Sequence, residues 1–478
     1  MIKTLVITVP FLESFRPPIS GATICSIAES CGHKVKAWDA NIKLYNSIGN
    51  TKFYDLQNQF TNLKVLEQNS ISLVENFVAS YDFSNFDYIL ISLFSSWSHN
   101  FNTILLKHLK KVNNKAIIVI GGPGVSNTFE NNSSYGMTML QNNLCDYYVD
   151  GEGEKTLLEI FKNNKNYPGI NGIPPQQIMD LDSLPIPNYD YYNLEDYDYL
   201  LENEKDLFVY GSRGCVRNCS FCDVPTYWPT FRWRSGDNIA EELIKNWEKY
   251  GIRHFFFTDS LLNGNLKAFR LLHETLAKNN LPKFHIAGYA IIRPKNQHPK
   301  ELFDMLQNTG THFWSVGVEH GSDSVRNNMR KKFSNEDIDW HLEQSYRIGL
   351  QNNFLMMPTW VTETLDDHKE YLQIFPRWQK YVATGTISSM VLSPLLYAYR
   401  NTPLTSHEYN IDFIPNELEA LREILWINRD NPELNLVERF RRTLAIWEQA
   451  VVYKYPLLMA ENKIMRLNAT IKKVLEIL

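Results

Sequence analysis

With 478 residues the chain is long enough for two or three domains, and an apolar share of 44% supports sizeable cores. A formal charge of −5 excludes the strongly basic balance of a chain built to grip long nucleic acid, although it leaves room for a local basic groove. Six cysteines do not suggest a disulfide framework at this length, and no stretch approaches the ~20 apolar residues of a membrane span.

Residues 2–9 form a β-branched run that ends at Pro10. The run lacks a signal peptide's basic region and cleavage site, and it reads as a buried strand. A helix is expected over 19–30, with Gly32 ending it and Cys25 and Cys31 as small core residues. Further strands are expected at 34–40, 87–94 and 116–122, with helical stretches over 45–80 and 101–112. The run CDYYVDGEGEKTLLEIF, 145–161, reads as a fifth strand, a Gly-rich turn and a helix. Nearly all-apolar strands alternating with helices predict an α/β, Rossmann-like parallel sheet over 1–165.

Ligands of such sheets sit beyond the carboxyl ends of the strands. Those ends carry Pro10, Asp39, Asn41, Phe94, Ser95, Ser96, Trp97, Gly121, Gly122, Gly151 and Glu152. Gly121 and Gly122 would admit a bulky ligand close to the backbone. The alternative is that they only turn the chain.

Residues 166–205 form a linker, rich in Pro, Asn, Asp and Tyr over its first three-quarters and without periodicity. A second alternation spans 206–405. Strands are expected at 206–212, 253–259, 283–292, 312–318, 353–358 and 385–393, with helices at 236–250, 265–279, 299–308, 335–348 and 364–378. Six β/α units suit an open partial barrel, with its chemistry at the carboxyl ends of the strands. Residues 406–478 show helical spacing and no convincing strand. There Arg439, Arg441 and Arg442 read as a solvated helix face.

Between the first barrel strand and its helix, Cys215, Cys219 and Cys222 make a C-x3-C-x2-C triplet in a Gly-rich loop. Three thiolates can grip a metal site without filling it, whereas a structural zinc site takes four protein ligands and ferredoxin runs supply four cysteines. Cys25, Cys31 and Cys145 lie far upstream. A cluster held here would keep one iron open for chemistry. Three incidental buried cysteines, or zinc completed by a distant His, are the alternatives.

The stretch GSRGCVRNCSFCDVP resembles the cluster-binding loop of the radical S-adenosylmethionine superfamily. The resemblance implies a [4Fe–4S] cluster on Cys215, Cys219 and Cys222. S-adenosyl-L-methionine would sit on the open iron, and Phe221 would line the adenine pocket. It further implies reductive cleavage to methionine and a 5′-deoxyadenosyl radical, with electrons from a donor such as flavodoxin or ferredoxin. Asp259 and Ser260 fall at a strand end that contacts the amino group in this family. The run VGVEHGSDSVRNNMRKK resembles the family's GIESGS segment, so Glu319 and Ser322 are implied to bind ribose or carboxylate. His320 stands where the family has a small Ser. Arg326 or Arg330 would pair with the methionine carboxylate, or else sit on a helix surface. MMPTWVTETLDDH resembles a G-x-P-x-E-T turn and keeps Pro358, Glu363 and Thr364, with the Met357 backbone facing adenine. LSPLLYAYRNTPL keeps Pro403 and Leu404 of a P-x-P-G-T-P-L segment, and Tyr397, Tyr399 and Arg400 are candidates for substrate contact.

A Rossmann-like domain ending in V-x-G-E-G-E before such a loop is similar to the cobalamin-binding domain of the cobalamin-dependent branch. The D-x-H-x-x-G signature of His-ligated cobalamin is absent, as is common in that branch. The loop from Phe94 to Trp97 would then face the lower side of cobalt, unless Trp97 is an ordinary hydrophobic plug. The implied activity is methyl transfer to an unactivated carbon of a small molecule or peptide, in a reducing cytosol. The alternatives are radical chemistry without methyl transfer or without cobalamin, and a non-catalytic iron–sulfur protein.

Overall fold

Five short apolar runs build the first sheet of the computed structural model, which describes residues 1–61, 67–127, 133–199, 204–279, 281–393, 395–399, 402–414 and 423–458. The chain divides into two compact units, Met1–Phe208 and Val209–Leu478.

In the first unit the order of elements is β1 (Lys3–Thr8), α1 (Ile19–Ser30), β2 (Lys34–Asp39), α2 (Ala40–Ile48), α3 (Asn50–Thr61), α4 (Gln68–Ala79), β3 (Tyr88–Ser92), α5 (His99–Val112), β4 (Ile117–Gly121), α6 (Tyr135–Gln141), β5 (Tyr147–Val149) and α7 (Gly153–Phe161). The sheet order is β2-β1-β3-β4-β5, and every neighbouring pair is parallel. Strands covered on both faces must be apolar throughout, which is why Leu5, Val6 and Ile7 are all fully buried. The helical stretch expected over 45–80 contains parts of three helices. The first starts early because the Asp39 carboxylate caps it, accepting from the Asn41 and Ile42 amides. Helix α6, of seven residues, is too short to announce itself by periodicity. Cys25 is a core residue of α1 as expected, whereas Cys31 is exposed just past its end. The Pro-rich linker is not loose, since Ile170, Ile178, Leu181 and Tyr189 are buried.

β6 (Asp206–Val209) straddles the boundary, and the second unit continues with β7 (Ser212–Arg213), α8 (Val224–Tyr227), β8 (Arg232–Trp233), α9 (Gly236–Tyr250), β9 (His254–Phe257), α10 (Leu266–Lys278), β10 (His285–Ala290), α11 (Lys300–Thr309), β11 (Thr311–Glu319), α12 (Asp323–Asn328), α13 (Asn335–Ile348), β12 (Gln351–Met356), α14 (Leu365–Ala383), β13 (Ile387–Leu392), β14 (Ile411–Phe413), β15 (Trp426–Asn428) and α15 (Leu436–Val452). Six strands run in the open order β6-β9-β10-β11-β12-β13. The strand expected over 206–212 ends early, because Ser212 and Arg213 leave the sheet to pair with β8 in a two-stranded ribbon. One face of the sheet packs Trp314, Val316, Val318, Phe354 and Met356 into the main core. The opposite face carries a polar ladder in which Asn353 donates to Ser315 at 3.2 Å and accepts from Ser389 at 2.9 Å.

Two expectations for the C-terminal region change. Among the described residues, β14 and β15 pair as an antiparallel ribbon where no strand was expected, and Trp426 and Ile427 belong to it rather than to a helix. Arg439 and Arg442 are buried inside the fold, and only Arg441 is exposed. Arg439 donates to the Ile424 and Trp426 carbonyls and lies 3.7 Å over the Trp426 ring, a seat that spacing alone does not reveal. Arg400 and the segment beyond residue 458 lie outside the described residues.

One close approach is worth a measurement. A Cβ on Gly236, the first residue of α9, would lie 2.3 Å from the Leu272 amide nitrogen and 2.5 Å from the Ala268 carbonyl oxygen of α10. Both atoms are backbone and cannot step aside. Gly236→Ala is expected to destabilise the protein by about 1–3 kcal/mol in urea denaturation, by the overpacking route.

Candidate functional site

The cysteine loop begins where Gly211 and Ser212 leave the sheet. Their amide and hydroxyl both donate to the buried Asp259 carboxylate at the end of β9. Burial pushes Asp259 up to about 6, against those hydrogen bonds. Gly214 takes a φ of +85° against the Thr230 carbonyl, which closes the loop on its ribbon. Further on, Ser220 is pinned from several sides. Its amide donates to the Met329 carbonyl at 3.3 Å, its carbonyl accepts from the Leu404 amide at 2.7 Å, and its hydroxyl accepts from Tyr409 at 2.7 Å.

This scaffold leaves Cys219 buried and Cys215 and Cys222 half-buried, all as free thiols. Burial raises all three, Cys222 to about 11, while the charges of Lys331 and Arg217 pull Cys215 and Cys219 back down. Among the described residues no three His, Cys, Asp or Glu side chains form a ready cage for one metal ion. The donor set fits a cubic cluster instead, which takes one thiolate at each of three separate iron corners.

Around the loop the side chains sort into open and occupied. Phe221 and Met357 pack together against a small core containing Trp360, with the Phe221 and Trp360 rings 6.1 Å apart. Glu319, at φ +68°, closes β11 and pairs with Lys331 at 2.8 Å. Its carbonyl accepts from the Met357 amide at 2.7 Å, which ties these two strand ends together. Ser260 is exposed beside Asp259. Ser322, by contrast, is fully buried, and its hydroxyl is spent on Asp367 at 2.8 Å. Neither candidate arginine is open. Arg326 is sealed against the His320 and Phe333 carbonyls, Asp323 and Asn335, and Arg330 grips Glu408 through both carboxylate oxygens. Tyr397 and Tyr399 stack at 6.2 Å, with Tyr399 exposed.

Behind Met357 lies a network whose partners are far apart in sequence. Glu363 is fully buried and accepts from the Trp360 amide at 3.0 Å. His320 Nδ1 accepts from the Ser322 amide, so its Nε2 carries the proton donated to Glu363 at 3.1 Å. Arg442 of α15 reaches Glu363 at 3.0 Å. Burial opposes the charge on Glu363, but His320, His368 and Arg442 outweigh it and bring the carboxyl to about 2. Glu363→Gln would keep acceptors for some of these donors while leaving the buried Arg442 with Glu438 as its remaining carboxylate partner. A loss of about 3 kcal/mol is expected, measured by urea denaturation at neutral pH.

The strand ends of the first unit divide the same way. Asn41 is consumed locally, accepting from the Phe11 and Leu12 amides, and Asp39 takes the Tyr197 hydroxyl. A Cβ on Gly122 would meet the Leu93 carbonyl at 2.4 Å, and one on Gly151 would meet Pro175 at 2.5 Å, so both glycines serve internal packing. Glu152 is buried and accepts from the Ile178 amide. Gly121 has only ordinary contacts. Pro10 is drawn to the β3 loop by the Ser98 hydroxyl at 2.6 Å, and Ser95 caps the short turn through the Trp97 amide. Ser96 is exposed in that turn, flanked by Phe94 at 66% and Trp97 at 51% exposure. Trp97 therefore does not plug a core.

Sequence reasoning missed Lys331, Ser220, Tyr409 and Arg442. Lys331 and Ser220 lie inside the runs quoted above without a role, Arg442 was read as part of a solvated helix face, and nothing local marks Tyr409.

Residues 209–374 match the family described as the radical SAM superfamily. An uncharacterised methyltransferase of Pyrococcus horikoshii is 28% identical over 286 residues, covering 55% of this chain and 60% of that protein. The chain spans less than two thirds of the length of the curated relatives it matches. Among solved structures, the radical S-adenosylmethionine methyltransferase TsrM from Kitasatospora setae superposes with a TM-score of 0.62 at 15% identity, covering 84% of this chain and 75% of its own. The cobalamin-dependent S-adenosylmethionine radical enzyme OxsB gives 0.64 at 17% identity, covering 95% and 66%.

Proposed function

The chain carries a radical SAM domain, and from that premise we propose that it is a cobalamin-dependent enzyme that transfers a methyl group to an unactivated carbon. The observation that carries the proposal is the cysteine loop. It holds three free thiols at the carboxyl ends of parallel strands, beside an aromatic wall and a buried Glu–Lys pair. When bound, a [4Fe–4S] cluster would supply the electron that splits S-adenosylmethionine into methionine and a 5′-deoxyadenosyl radical, and a corrinoid would carry the methyl group.

The chain's own residues bind and orient. Cys215, Cys219 and Cys222 would hold the cluster. Phe221 and the Met357 backbone offer adenine a flat wall. Asp259 shapes the start of the cysteine loop rather than receiving the ammonium, since Gly211 and Ser212 take its oxygens, and Ser260 is the open hydroxyl of that turn. Ser322 positions α14 through Asp367. In the first unit, exposed Phe94 and Trp97 beside Pro10, Ser95, Ser96 and Gly121 suit the apolar face of a macrocycle. Relatives named as methyltransferases support the transfer step.

The test is anaerobic reconstitution with iron, sulfide and hydroxocobalamin, then incubation with S-adenosylmethionine and dithionite. Corrinoid absorbance should co-elute with the protein, and 5′-deoxyadenosine should accumulate. A protein that makes 5′-deoxyadenosine but retains no corrinoid would overturn the cobalamin assignment. One that makes none would overturn the enzyme assignment.

A further inference from the structure

Lys331 lies at the end of the run VGVEHGSDSVRNNMRKK and carries no role in the reading above, yet its side chain returns to the site. It sits in a turn whose flanking residues, Arg330 and Lys332, take φ of +64° and +60°. From there Nζ folds over the inner face of β11, donating to the Gly317 carbonyl at 3.0 Å and to Glu319 Oε1 at 2.8 Å. It also lies 5.4 Å from the centroid of Phe221, the residue between Cys219 and Cys222. Gly317 makes the seat: a Cβ there would lie 2.9 Å from Nζ and 2.3 Å from Oε1. The Lys331 side chain is only 10% exposed and that of Glu319 12%.

A charge in such a seat acts more strongly on its neighbours than one in water, because the local dielectric is low. Burial alone would lower Lys331, but Glu319 together with Cys219 and Cys222 outweighs it and keeps the ammonium charged. Two other cations act near these thiols: Arg217, on a half-exposed part of the loop where solvent screens it, and the part-buried Arg293, which interacts with Cys215. One-electron reduction adds a negative charge to a thiolate-held cluster, and the potential of such a cluster follows local charge and burial.

We propose that Lys331 has two linked roles: it positions Glu319, and it is the fixed counter-charge that makes a cluster on Cys215, Cys219 and Cys222 easier to reduce. The proposal rests on the radical SAM reading of the same loop. A ligand that draws Glu319 away uncovers the full Lys331 charge, so binding there and cluster reduction favour one another. The step is the gain of one electron by the oxidised cluster from an external reductant, with no bond made or broken in the protein.

The experiment is a redox titration of the reconstituted holoprotein with dithionite, followed by electron paramagnetic resonance. Lys331→Met and Lys331→Gln are expected to lower the reduction equilibrium about tenfold, or about 59 mV for one electron. Gln keeps a donor for Gly317 and Glu319, so it separates charge from packing if Met folds poorly. Lys331→Arg should stay near wild type, and Arg217→Met should shift less than Lys331→Gln. An unchanged potential in Lys331→Gln would overturn the proposal while leaving the radical SAM reading intact. A wild-type protein with no reducible cluster would overturn both.

Discussion

A Cys219→Ala variant is expected to retain no [4Fe–4S] cluster and to release no 5′-deoxyadenosine, yet to melt close to wild type. Cys219 is the central and most buried of the three thiols, so its loss leaves two ligands where a cubic cluster needs three. The loop itself is held by something else. Met329, Leu404 and Tyr409 fix Ser220, and Asp259 fixes Gly211 and Ser212. Removing one sulfur from a buried side chain costs about 1 kcal/mol. For a chain of 478 residues that amounts to about 1 °C in Tm. Visible absorbance, product chromatography and a thermal melt check the three parts. Product formation by the variant would sink the cluster assignment, and a large drop in Tm would show that the hydrogen-bonded frame does not hold the loop.

The second large effect is acid sensitivity. His273, His298 and His341 are buried in the second unit, and burial lowers them from 6.5 to about 3, 3 and 4. His273 meets the Thr309 hydroxyl at 2.5 Å and His341 the Asn352 side chain at 2.8 Å, both neutral partners. The folded protein therefore binds no proton at these rings between about pH 6.5 and 4, while the unfolded chain does. Their contribution is complete above pH 6.5 and is lost as pH falls toward their folded values. Between pH 7.5 and 5.5 each ring forfeits about 1.4 kcal/mol, or about 4 kcal/mol together. Asp259 acts in the opposite sense. Its folded value of about 6 lies above its ordinary 3.8, so it returns stability as pH falls, about 1 kcal/mol over the same interval. His312, lowered to about 4, adds a further loss of about 1.4 kcal/mol, and Asp39 and Asp206, raised to about 6, return about 1 kcal/mol each, so the net expectation is a loss of about 3 kcal/mol, read from urea midpoints at the two pH values. Equal midpoints would mean that these rings do not stay neutral.

Which functional residues were legible depended on whether their meaning is local. The cysteine triplet is local, since three ligands within one loop need only that loop. Phe221 and Glu319 were named from their places in short motifs, and the structure brings both to Lys331. Ser322, Arg326 and Arg330 matched motifs equally well, but their partners Asp367, Asn335 and Glu408 come from other elements, and those partners decide that the three side chains are occupied. Gly122 and Gly151 illustrate the same limit. A glycine in sequence says that a close approach occurs, but not whether the approaching group is a ligand or, as here, Leu93 and Pro175.

By itself, then, the sequence determined the two parallel α/β sheets and the loop that offers three thiolates. Both follow from short-range patterns: apolar runs that must be covered on two faces, and cysteines spaced within one turn of chain. Only the tertiary structure decided which charges face that loop. Lys331 reaches it because Gly317 lacks a Cβ, and Arg442 reaches Glu363 from 79 residues away along the chain. A buried charge is stable only where opposite charge and hydrogen bonds converge from separate elements, and that convergence has no signature in any one of them.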